Sequence, residues 1–467
     1  MNTADKPLAE LMGDGLTVPV FGGGAHRYVN LDNAATTPPL RRVWDRLAEL
    51  MPWYGSIHRG DGLKSIISTQ VLEQARERIL RFADGSADRD VLLIGQNTTA
   101  CINHLARRLS VHAEFTVVTS ELEHSSNILA WRKHAAVLQC PTSTAGQLDL
   151  DELRRLLAAR HVNIVAVTAA SSITGAIVDV HRIAAVAHAY GAQVFVDAAQ
   201  LVAHRKLLRG EPEAADHIDF VAFAGHKMYA PFGAAALVGP RDAFIDGWPD
   251  QPGGGSVSLI EGDELIWAGL PAREQGGSPN YPGIVALAEA CAGLEEIGFD
   301  RIAEHERGIR RHASEVLGGL SGLTSYGQLG STADEHVPVF PFNVEGFDHA
   351  LVASYLGTER AIGVRSGPIC QYELIARLLQ VTGDERKRVQ QQVAAGDQRS
   401  VYGVVRASCG LGSTTGDIDD LGAALRDLIR NGTTAKYEQS LDGRYHAIGW
   451  SPTLPEQLSV ATSSTPR

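Results

Sequence analysis

Two charged side chains follow two predicted buried strands near the middle of the sequence. Asp197 comes directly after the apolar run AQVFV (192–196), and Lys227 comes shortly after the run HIDFVAF (217–223). Each run is short, rich in β-branched or aromatic residues and bounded by polar residues or glycine, which is typical of a strand. Open α/β sheets bind ligands at the carboxyl ends of their strands, so we expect both side chains at that edge. Taken singly, a helix-capping Asp and a surface Lys would explain them.

A carboxylate together with a lysine amine suits pyridoxal phosphate. That cofactor needs an amine to hold its aldehyde and an acid to keep its pyridine nitrogen protonated, so that the ring can accept electrons. Seven further motifs occur in order: YVNLDNAATTPP (28–39), SIHRG (56–60), NTTACINHLA (97–106), ELEHSSNILAW (121–131), GGSPN (276–280), VRSGPIC (364–370) and VVRAS (404–408). With Asp-x-x-Gln at 197–200 and Gly-His-Lys at 225–227, they resemble the class V pyridoxal-phosphate enzymes, and within them the cysteine desulfurase and selenocysteine lyase branch.

The resemblance implies an α/β fold, the aspartate aminotransferase-like fold type I, with a mostly parallel central sheet and a smaller C-terminal α+β domain. The expected division is an N-terminal segment (1–27), a large cofactor-binding domain (28–299), a small domain (300–435) and a C-terminal extension (436–467). The Ser/Thr/Pro-rich end of that extension is expected to lack order. Residues 371–405 contain an insertion relative to the shortest family members, and a charged helix is predicted within it. This helix would either be solvated or cover the entrance to the site.

Several residues are expected to hold the cofactor. Thr98 and Thr99 open a predicted helix, where hydroxyls and free backbone amides favour an anion such as the cofactor phosphate, although ordinary N-capping would also explain them. The resemblance implies that Lys227 is the covalent lysine, that Asp197 is the acid below the ring and that Gln200 bonds the phenolic oxygen. It also implies that His226 and Ser278 bind the phosphate and that the imidazole of His124 stacks on the ring. His124 is further expected to move protons, a role that suits a group titrating near neutral pH. His58 is expected near the reacting end of the cofactor.

Other residues are expected to bind the substrate or to take up its sulfur. The planar fork of Arg406 would bind the α-carboxylate of an amino acid, with Arg365, Ala35 and Ser172 also lining the substrate site by resemblance. Cys370 lies five residues after Arg365, and in the family a thiolate on this loop attacks the sulfur of the substrate. The catalytic set is therefore Lys227, Cys370, His124 and His58.

Four positions depart from the family pattern. Ser172 stands where desulfurases have an Asn that helps to hold the substrate carboxylate, and a shorter hydroxyl reaches less far. Ala224 replaces a serine, so one hydrogen bond to phosphate is lost, worth about 1.5–3 kcal/mol to a charged group. Pro368 and Ile369 make the cysteine loop stiffer and more apolar. Because of these departures, the sequence does not determine which side chain the substrate carries.

Composition narrows the class of protein. The 467 residues carry a net charge of −12 without a dense basic stripe, which argues against a nucleic-acid partner. No apolar run is long enough for a membrane span, and the first 20 residues do not resemble a signal peptide. Five cysteines without close pairing or metal-type spacing fit a reduced cytoplasm and give no reason to expect a metal.

The leading hypothesis is a cysteine desulfurase that cleaves the C–S bond of L-cysteine, or of a related sulfur or selenium amino acid, through a persulfide on Cys370. The alternatives are a C–S β-lyase acting on a cysteine S-conjugate, another class V enzyme such as an epimerase or deaminase that does not use Cys370, and a non-enzymatic scaffold. The expected partners are the small amino-acid substrate, a second copy in a homodimer with shared active sites through Ser278, and a sulfur-acceptor protein.

Overall fold

The structure is a computed structural model that describes residues 3–110, 114–143, 146–332, 334–453, 455 and 458. Its helices are α1 (Arg41–Leu50), α2 (Leu63–Phe82), α3 (Thr98–Leu109), α4 (Ser126–Arg132), α5 (Leu150–Ala159), α6 (Val180–His188), α7 (Tyr281–Ile297), α8 (Phe299–Gly318), α9 (His349–Arg360), α10 (Tyr372–Leu378), α11 (Gly383–Ala394) and α12 (Thr415–Asn431). Its strands are β1 (Thr17–Pro19), β2 (Ala25–Arg27), β3 (Val29–Asn30), β4 (Asp90–Gly95), β5 (Thr116–Ser120), β6 (Ala136–Cys140), β7 (Ile164–Thr168), β8 (Gln193–Asp197), β9 (Phe220–Ala224), β10 (Ala235–Pro240), β11 (Val257–Glu261), β12 (Glu264–Trp267), β13 (Leu323–Ser325), β14 (Val339–Val344), β15 (Ile362–Gly363), β16 (Arg365–Gly367), β17 (Val404–Ser408), β18 (Tyr437–Gln439) and β19 (Tyr445–Ala447).

A seven-stranded sheet forms the centre of the molecule, in the order β4-β10-β9-β8-β7-β5-β6. Strands β5 to β9 pair in parallel, and β10 pairs antiparallel with both β4 and β9. Successive residues of β8 point to opposite faces, so Val194 and Val196 join one hydrophobic core while Phe195 joins another. Helices cover both faces, and the strands are therefore buried on both sides, as their unbroken apolar runs predict. The expected α/β fold with a mostly parallel central sheet is confirmed.

A second, smaller sheet has the order β13-β14-β17-β16 and is antiparallel. It shares a separate hydrophobic core with α8, α9 and α12, to which Phe340, Phe342 and Leu425 belong. The N-terminal segment joins this unit, because Ala4 lies in the same core and β3 pairs in parallel with β15. The exact boundaries 27, 299 and 435 remain predictions.

The C-terminal extension begins as ordered structure. Strands β18 and β19 form an antiparallel hairpin that starts one residue after Lys436, so the extension carries a small sheet that its sequence did not suggest. The predicted disordered end falls mostly on residues 454, 456–457 and 459–467, which lie outside the described part of the chain. Within the described residues, no helix is both long and apolar enough to cross a membrane.

Candidate active site

The two central strands bring Asp197 and Lys227 to one cavity. Asp197 is the last residue of β8, and β9 leads through a single 3-10 turn (Gly225–Lys227) to the lysine. The cavity has a volume of about 400 Å³. Its lining includes most of the residues predicted from the sequence, namely Ala35, Thr98, Thr99, His124, Ser172, Asp197, Gln200, His226, Lys227, Arg365, Cys370 and Arg406. The carboxyl edge of the sheet is therefore where these side chains converge.

Burial sets the charge state of the central pair. Burial lowers the pKa of the Lys227 amine, against the opposing attraction of the Asp197 carboxylate. Burial also raises the pKa of Asp197, against a hydrogen bond of 3.0 Å from the backbone N–H of Ala199 to Oδ1 and the attraction of Lys227. An amine with a lowered pKa is more often uncharged and therefore nucleophilic, as a covalent lysine must be.

The start of α3 leaves a hydroxyl free for a ligand. Asn97 caps this helix, because its side chain accepts the backbone N–H of Ala100 at 2.9 Å. The Thr98 hydroxyl is not needed as a cap, and its Oγ1 is buried without a hydrogen-bond partner. Ordinary threonine capping is thus excluded for Thr98. A buried donor beside the free amides of a helix N-terminus fits the phosphate of pyridoxal phosphate.

A second unpartnered atom belongs to another residue that lines the cavity, Gln200. The side-chain oxygen Oε1 of Gln200 is buried without a hydrogen-bond partner, and unpaired buried polar atoms are costly unless a ligand satisfies them. A cofactor group that donates a hydrogen, such as the phenolic hydroxyl, would satisfy this oxygen. Ala224, by contrast, is the fully buried last residue of β9 and does not line the cavity, so Thr98, Thr99 and His226 are the lining residues that remain candidates for the phosphate. The residues present therefore fit pyridoxal phosphate.

His124 lies in the cavity with a fixed orientation. Its Nδ1 accepts the backbone N–H of Ser126 at 3.2 Å and lies 2.9 Å from the Ser126 hydroxyl, which in turn lies 2.6 Å from that of Thr99. Burial, together with the positive charges of Lys227 and Arg406, lowers the pKa of His124 to about 4. The imidazole is therefore neutral at pH 7. A neutral ring suits stacking, and the role of His124 in moving protons stays a prediction.

Two arginines converge on an aspartate that the sequence reasoning missed. Arg406 is 1% exposed and donates to Asp32 Oδ1 at 3.1 Å, and Arg365 donates to Asp32 Oδ2 at 2.9 Å. Burial lowers the pKa of Arg406 to about 10, and Asp32 opposes this effect. Asp32 belongs to the motif YVNLDNAATTPP, but no spacing in the sequence links it to residues more than 330 positions away.

Ser172 and Gln371 form a small polar cluster beside Arg406. The carbonyl oxygen of Ser172 accepts Arg406 Nη1 at 2.9 Å, and the Ser172 hydroxyl lies 3.3 Å from Gln371 Nε2. Gln371 is buried, lines the cavity and keeps its Oε1 without a partner. An amide therefore stands next to the position where desulfurases carry Asn. Gln371 is a second residue that the sequence reasoning missed, because its amide is supplied by a different segment.

Cys370 lies at the exposed rim of the cavity in a strained loop. Ile369 and Cys370 have φ angles of 45° and 59°, which L-residues with a side chain rarely adopt. The carbonyl oxygen of Cys370 accepts both the backbone N–H (2.9 Å) and the hydroxyl (2.7 Å) of Ser125, just before α4. The other cysteines, 101, 140, 291 and 409, are buried. Cys370 is thus the cysteine that is held at the cavity and open to solvent.

Two of the predicted residues lie outside this cavity. His58 is exposed on the loop before α2, with Nδ1 4.0 Å from Glu73 Oε1, so a single chain does not bring it to the cofactor site. Ser278 is exposed in the loop before α7 and lines a neighbouring cavity of about 600 Å³. That neighbouring cavity shares Asn97 and Thr99 with the main one.

Comparison with known proteins agrees with this geometry. Residues 29–421 match the family model for class-V aminotransferases. The chain is 34% identical over 360 residues to a cysteine desulfurase of Enterobacter sp. (strain 638), a match covering 74% of this chain and 85% of that protein. It is 31% identical over 409 residues to a probable cysteine desulfurase of Staphylococcus aureus (strain N315), covering 86% and 92%. Some relatives are longer, since the match to the cysteine desulfurase of Synechococcus elongatus covers 55% of that protein.

Solved structures show the same fold. The apo cysteine desulfurase of Thermococcus onnurineus NA1 superimposes with a TM-score of 0.75 at 25% identity, covering 86% of this chain and 95% of that one. An Escherichia coli cysteine desulfurase in an S-sulfonic acid form gives 0.71 at 25% identity, covering 85% and 94%. Class-V aminotransferases depend on pyridoxal phosphate, which the free hydroxyl of Thr98 and the free amide of Gln200 fit. The chain therefore belongs to the class-V aminotransferase family, as a pyridoxal-phosphate-dependent enzyme.

Proposed function

We propose that the protein is a cysteine desulfurase, which takes the sulfur of L-cysteine, or of a related sulfur or selenium amino acid, onto Cys370. The observation that carries the proposal is the presence of Cys370 on the rim of the cavity that holds Lys227, Asp197 and Arg406. The relatives named as cysteine desulfurases support it. When bound, the cofactor supplies an aldehyde for the lysine and a ring that accepts the electron pair released at the substrate α-carbon.

The chain's own residues have distinct tasks in this reaction. Lys227, with its lowered pKa, binds the cofactor and then carries a proton at the substrate α-carbon. Asp197, at the end of the neighbouring strand β8, is the acid for the ring nitrogen. The neutral imidazole of His124 stacks on the ring. Arg406, held by Asp32, orients the substrate carboxylate.

Cys370 performs the sulfur transfer. Its thiolate attacks the substrate sulfur, so an S–S bond forms while the Cβ–S bond breaks, and the amino acid leaves as alanine. The electron pair of the Cβ–S bond stays on Cβ, which takes up the proton lost by the thiol, and Lys227 returns its proton to the α-carbon, so that alanine is formed. A persulfide on an exposed residue can then be passed on. Leu129 and Tyr372 beside Cys370 are 60% and 54% exposed and border a shallow cavity of about 310 Å³, which suits a sulfur-acceptor protein.

Two finer assignments belong to the same proposal. We assign a homodimer with shared active sites, because His58 and Ser278 are exposed outside their own chain's cavity and a second copy could receive them. The free cysteines support a reducing compartment, the cytoplasm.

Product analysis with L-cysteine tests the sulfur transfer. The cofactor-loaded protein, given L-cysteine and a thiol reductant, should release sulfide and alanine in equal amounts. Cys370→Ala should lower sulfide release by at least about a hundredfold, as expected for loss of a nucleophile. Cys140→Ala, which changes a buried cysteine, is the matched control and should keep its activity.

Other products would identify a different enzyme. Pyruvate and ammonia from an S-conjugate of cysteine, with activity intact in Cys370→Ala, would favour a C–S β-lyase. Ser172 in place of the usual Asn is the feature that favours this second candidate, since a hydroxyl is shorter than an amide side chain and reaches less far towards a substrate carboxylate.

A further inference from the structure

Three potential metal ligands lie together at the edge of the sheet opposite the active site. His188 ends α6, His217 lies in the loop before β9, and Asp219 directly precedes β9. One ligand atom from each lies within 4.8 Å of the others. Asp197 and Lys227 follow the carboxyl ends of β8 and β9, whereas this cluster lies at the amino ends of the same two strands. The cluster is therefore separate from the cofactor site.

Backbone carbonyls fix the tautomer of both histidines. Nδ1 of His188 lies 2.8 Å from the carbonyl oxygen of Ala215, and Nδ1 of His217 lies 2.7 Å from that of Ala214. A carbonyl oxygen can only accept, so each Nδ1 carries a hydrogen. In the neutral rings, each Nε2 therefore presents a lone pair. Histidines that bind metals through Nε2 are commonly held by such a second bond from Nδ1.

Both lone pairs are directed at the same carboxylate. Nε2 of His188 lies 2.9 Å from Asp219 Oδ2, and Nε2 of His217 lies 3.4 Å from Asp219 Oδ1. Each ring therefore faces the carboxylate with the nitrogen that has no backbone partner. A cation placed between the three side chains would contact one ligand atom of each.

The distances between the rings and the carboxylate are in the range of zinc ligands. Ligands about 2.0–2.1 Å from a zinc ion are separated from one another by about 3.3 Å, close to the two nitrogen–oxygen distances. Asp219 is held in place, because its Oδ2 accepts the backbone N–H of Val194 at 2.7 Å. The side chains of His188, His217 and Asp219 are 18%, 22% and 11% exposed, so the cluster is accessible to an ion from solvent.

We propose that His188, His217 and Asp219 form a binding site for a divalent transition-metal ion of the zinc type. The ion would join the end of α6 and the loop 210–219 to the start of β8 and β9, and so stabilise the sheet that carries the cofactor site. The sequence reasoning expected no metal, because these ligands are spread over a helix and a loop rather than placed in a short motif. The site does not depend on the proposed desulfurase activity.

Calorimetric titration of the chelator-treated, cofactor-loaded protein with zinc chloride tests the site. The Cys370→Ala background is used, since an exposed thiol is a zinc ligand in its own right. One zinc ion should bind per chain, and zinc should raise the melting temperature because it binds the native state. His188→Gln and His217→Gln should each weaken binding at least about tenfold.

His181→Gln is the matched control. His181 lies on the same helix, and its Nδ1 also contacts a backbone carbonyl, that of Asp216 at 2.9 Å, but it is not part of the cluster. This variant should bind zinc like the parent protein. Cofactor absorbance shows that each variant is folded. Zinc binding that survives His217→Gln unchanged, or a parent protein that binds no zinc at this site, would overturn the proposal.

Discussion

Arg406 enters the cavity with part of its hydrogen-bonding capacity unused. Its Nη1 and Nη2 donate to Ser172 and Asp32, while its Nε is buried without a partner. A substrate carboxylate offers two oxygens in the plane that a guanidinium recognises. We therefore predict that this position requires the planar fork, and not the charge alone.

The substitution Arg406→Lys separates the fork from the charge. A lysine keeps the positive charge but loses the two-point geometry, and one charged hydrogen bond is worth about 1.5–3 kcal/mol. We expect the KM for L-cysteine to rise about tenfold to a hundredfold, with a smaller change in kcat. Steady-state kinetics on protein with full cofactor absorbance measures this. Arg365→Lys is the comparison: Arg365 is half exposed at the rim, so its effect should be smaller. An unchanged KM in Arg406→Lys would contradict the carboxylate role.

Residues differ in how well their place could be predicted. Asp197 and Lys227 were predictable, because each follows a buried strand and parallel strands align their ends. Asp32 and Gln371 were not, because their roles arise only where distant segments meet: Asp32 with Arg365 and Arg406, Gln371 with Leu122 and Ser172. His58 matches a motif, yet its own chain leaves it exposed.

Helices and strands, like single residues, could be predicted where the local sequence carries a clear signal. Strands β7, β8 and β9 are fully or almost fully buried apolar runs, and their order along the chain gives the parallel sheet. The hairpins β11–β12 and β18–β19 are short, and the first is mostly exposed while the second is partly buried. Their alternation is too brief to give a periodic signal. The predicted charged helix at 384–397 appears as α11, of which only Val389 is buried, so it is a largely solvated helix.

The loop before β14 contacts the segment after β7 and so links the small sheet to the large one. It contains a buried histidine. His336 forms a β-bridge with Ala176 from the segment after β7, and it is 3% exposed with Nδ1 unpartnered. Burial, together with the charge of Arg310, lowers its pKa to about 4, while Glu335 opposes this effect. The folded protein therefore resists protonation of His336 at a pH where the unfolded chain accepts the proton.

This difference predicts acid sensitivity of the junction. Because the folded pKa lies below the unfolded value near 6.5, stability is fully present above pH 6.5 and falls as the pH drops towards 4. The loss is up to about 1.4 kcal/mol per pH unit for such a histidine. Urea unfolding at pH 7.5, 6 and 5 should show a smaller decline for His336→Gln than for the parent. His312→Gln, at an exposed ion pair with Asp419, is the control. If the free energy of unfolding declined equally in the parent and in His336→Gln, the acid sensitivity would not come from His336.

At the scale of the whole molecule, the cavity is built by both sheets. Lys227 and Asp197 come from the large sheet, whereas Arg365 and Arg406 come from the small one. The large apolar side chains exposed on α1, the turn after it and the start of α2 are Trp44, Met51, Trp53, Tyr54, Leu63 and Ile66. In the proposed homodimer, a second copy would cover this surface and present its own His58 to the first copy's cavity.

Mixing two inactive variants tests whether the sites are shared. Light scattering should first give twice the chain mass of 50.0 kDa. Lys227→Ala chains lack the covalent lysine, and His58→Ala chains should be impaired. If His58 serves the partner's cavity, a mixed dimer contains one intact site, and unfolding and refolding the variants together should restore about a quarter of the parent activity. If His58 serves its own chain, no mixed dimer has an intact site and activity stays at the level of the separate variants, which would refute the shared site.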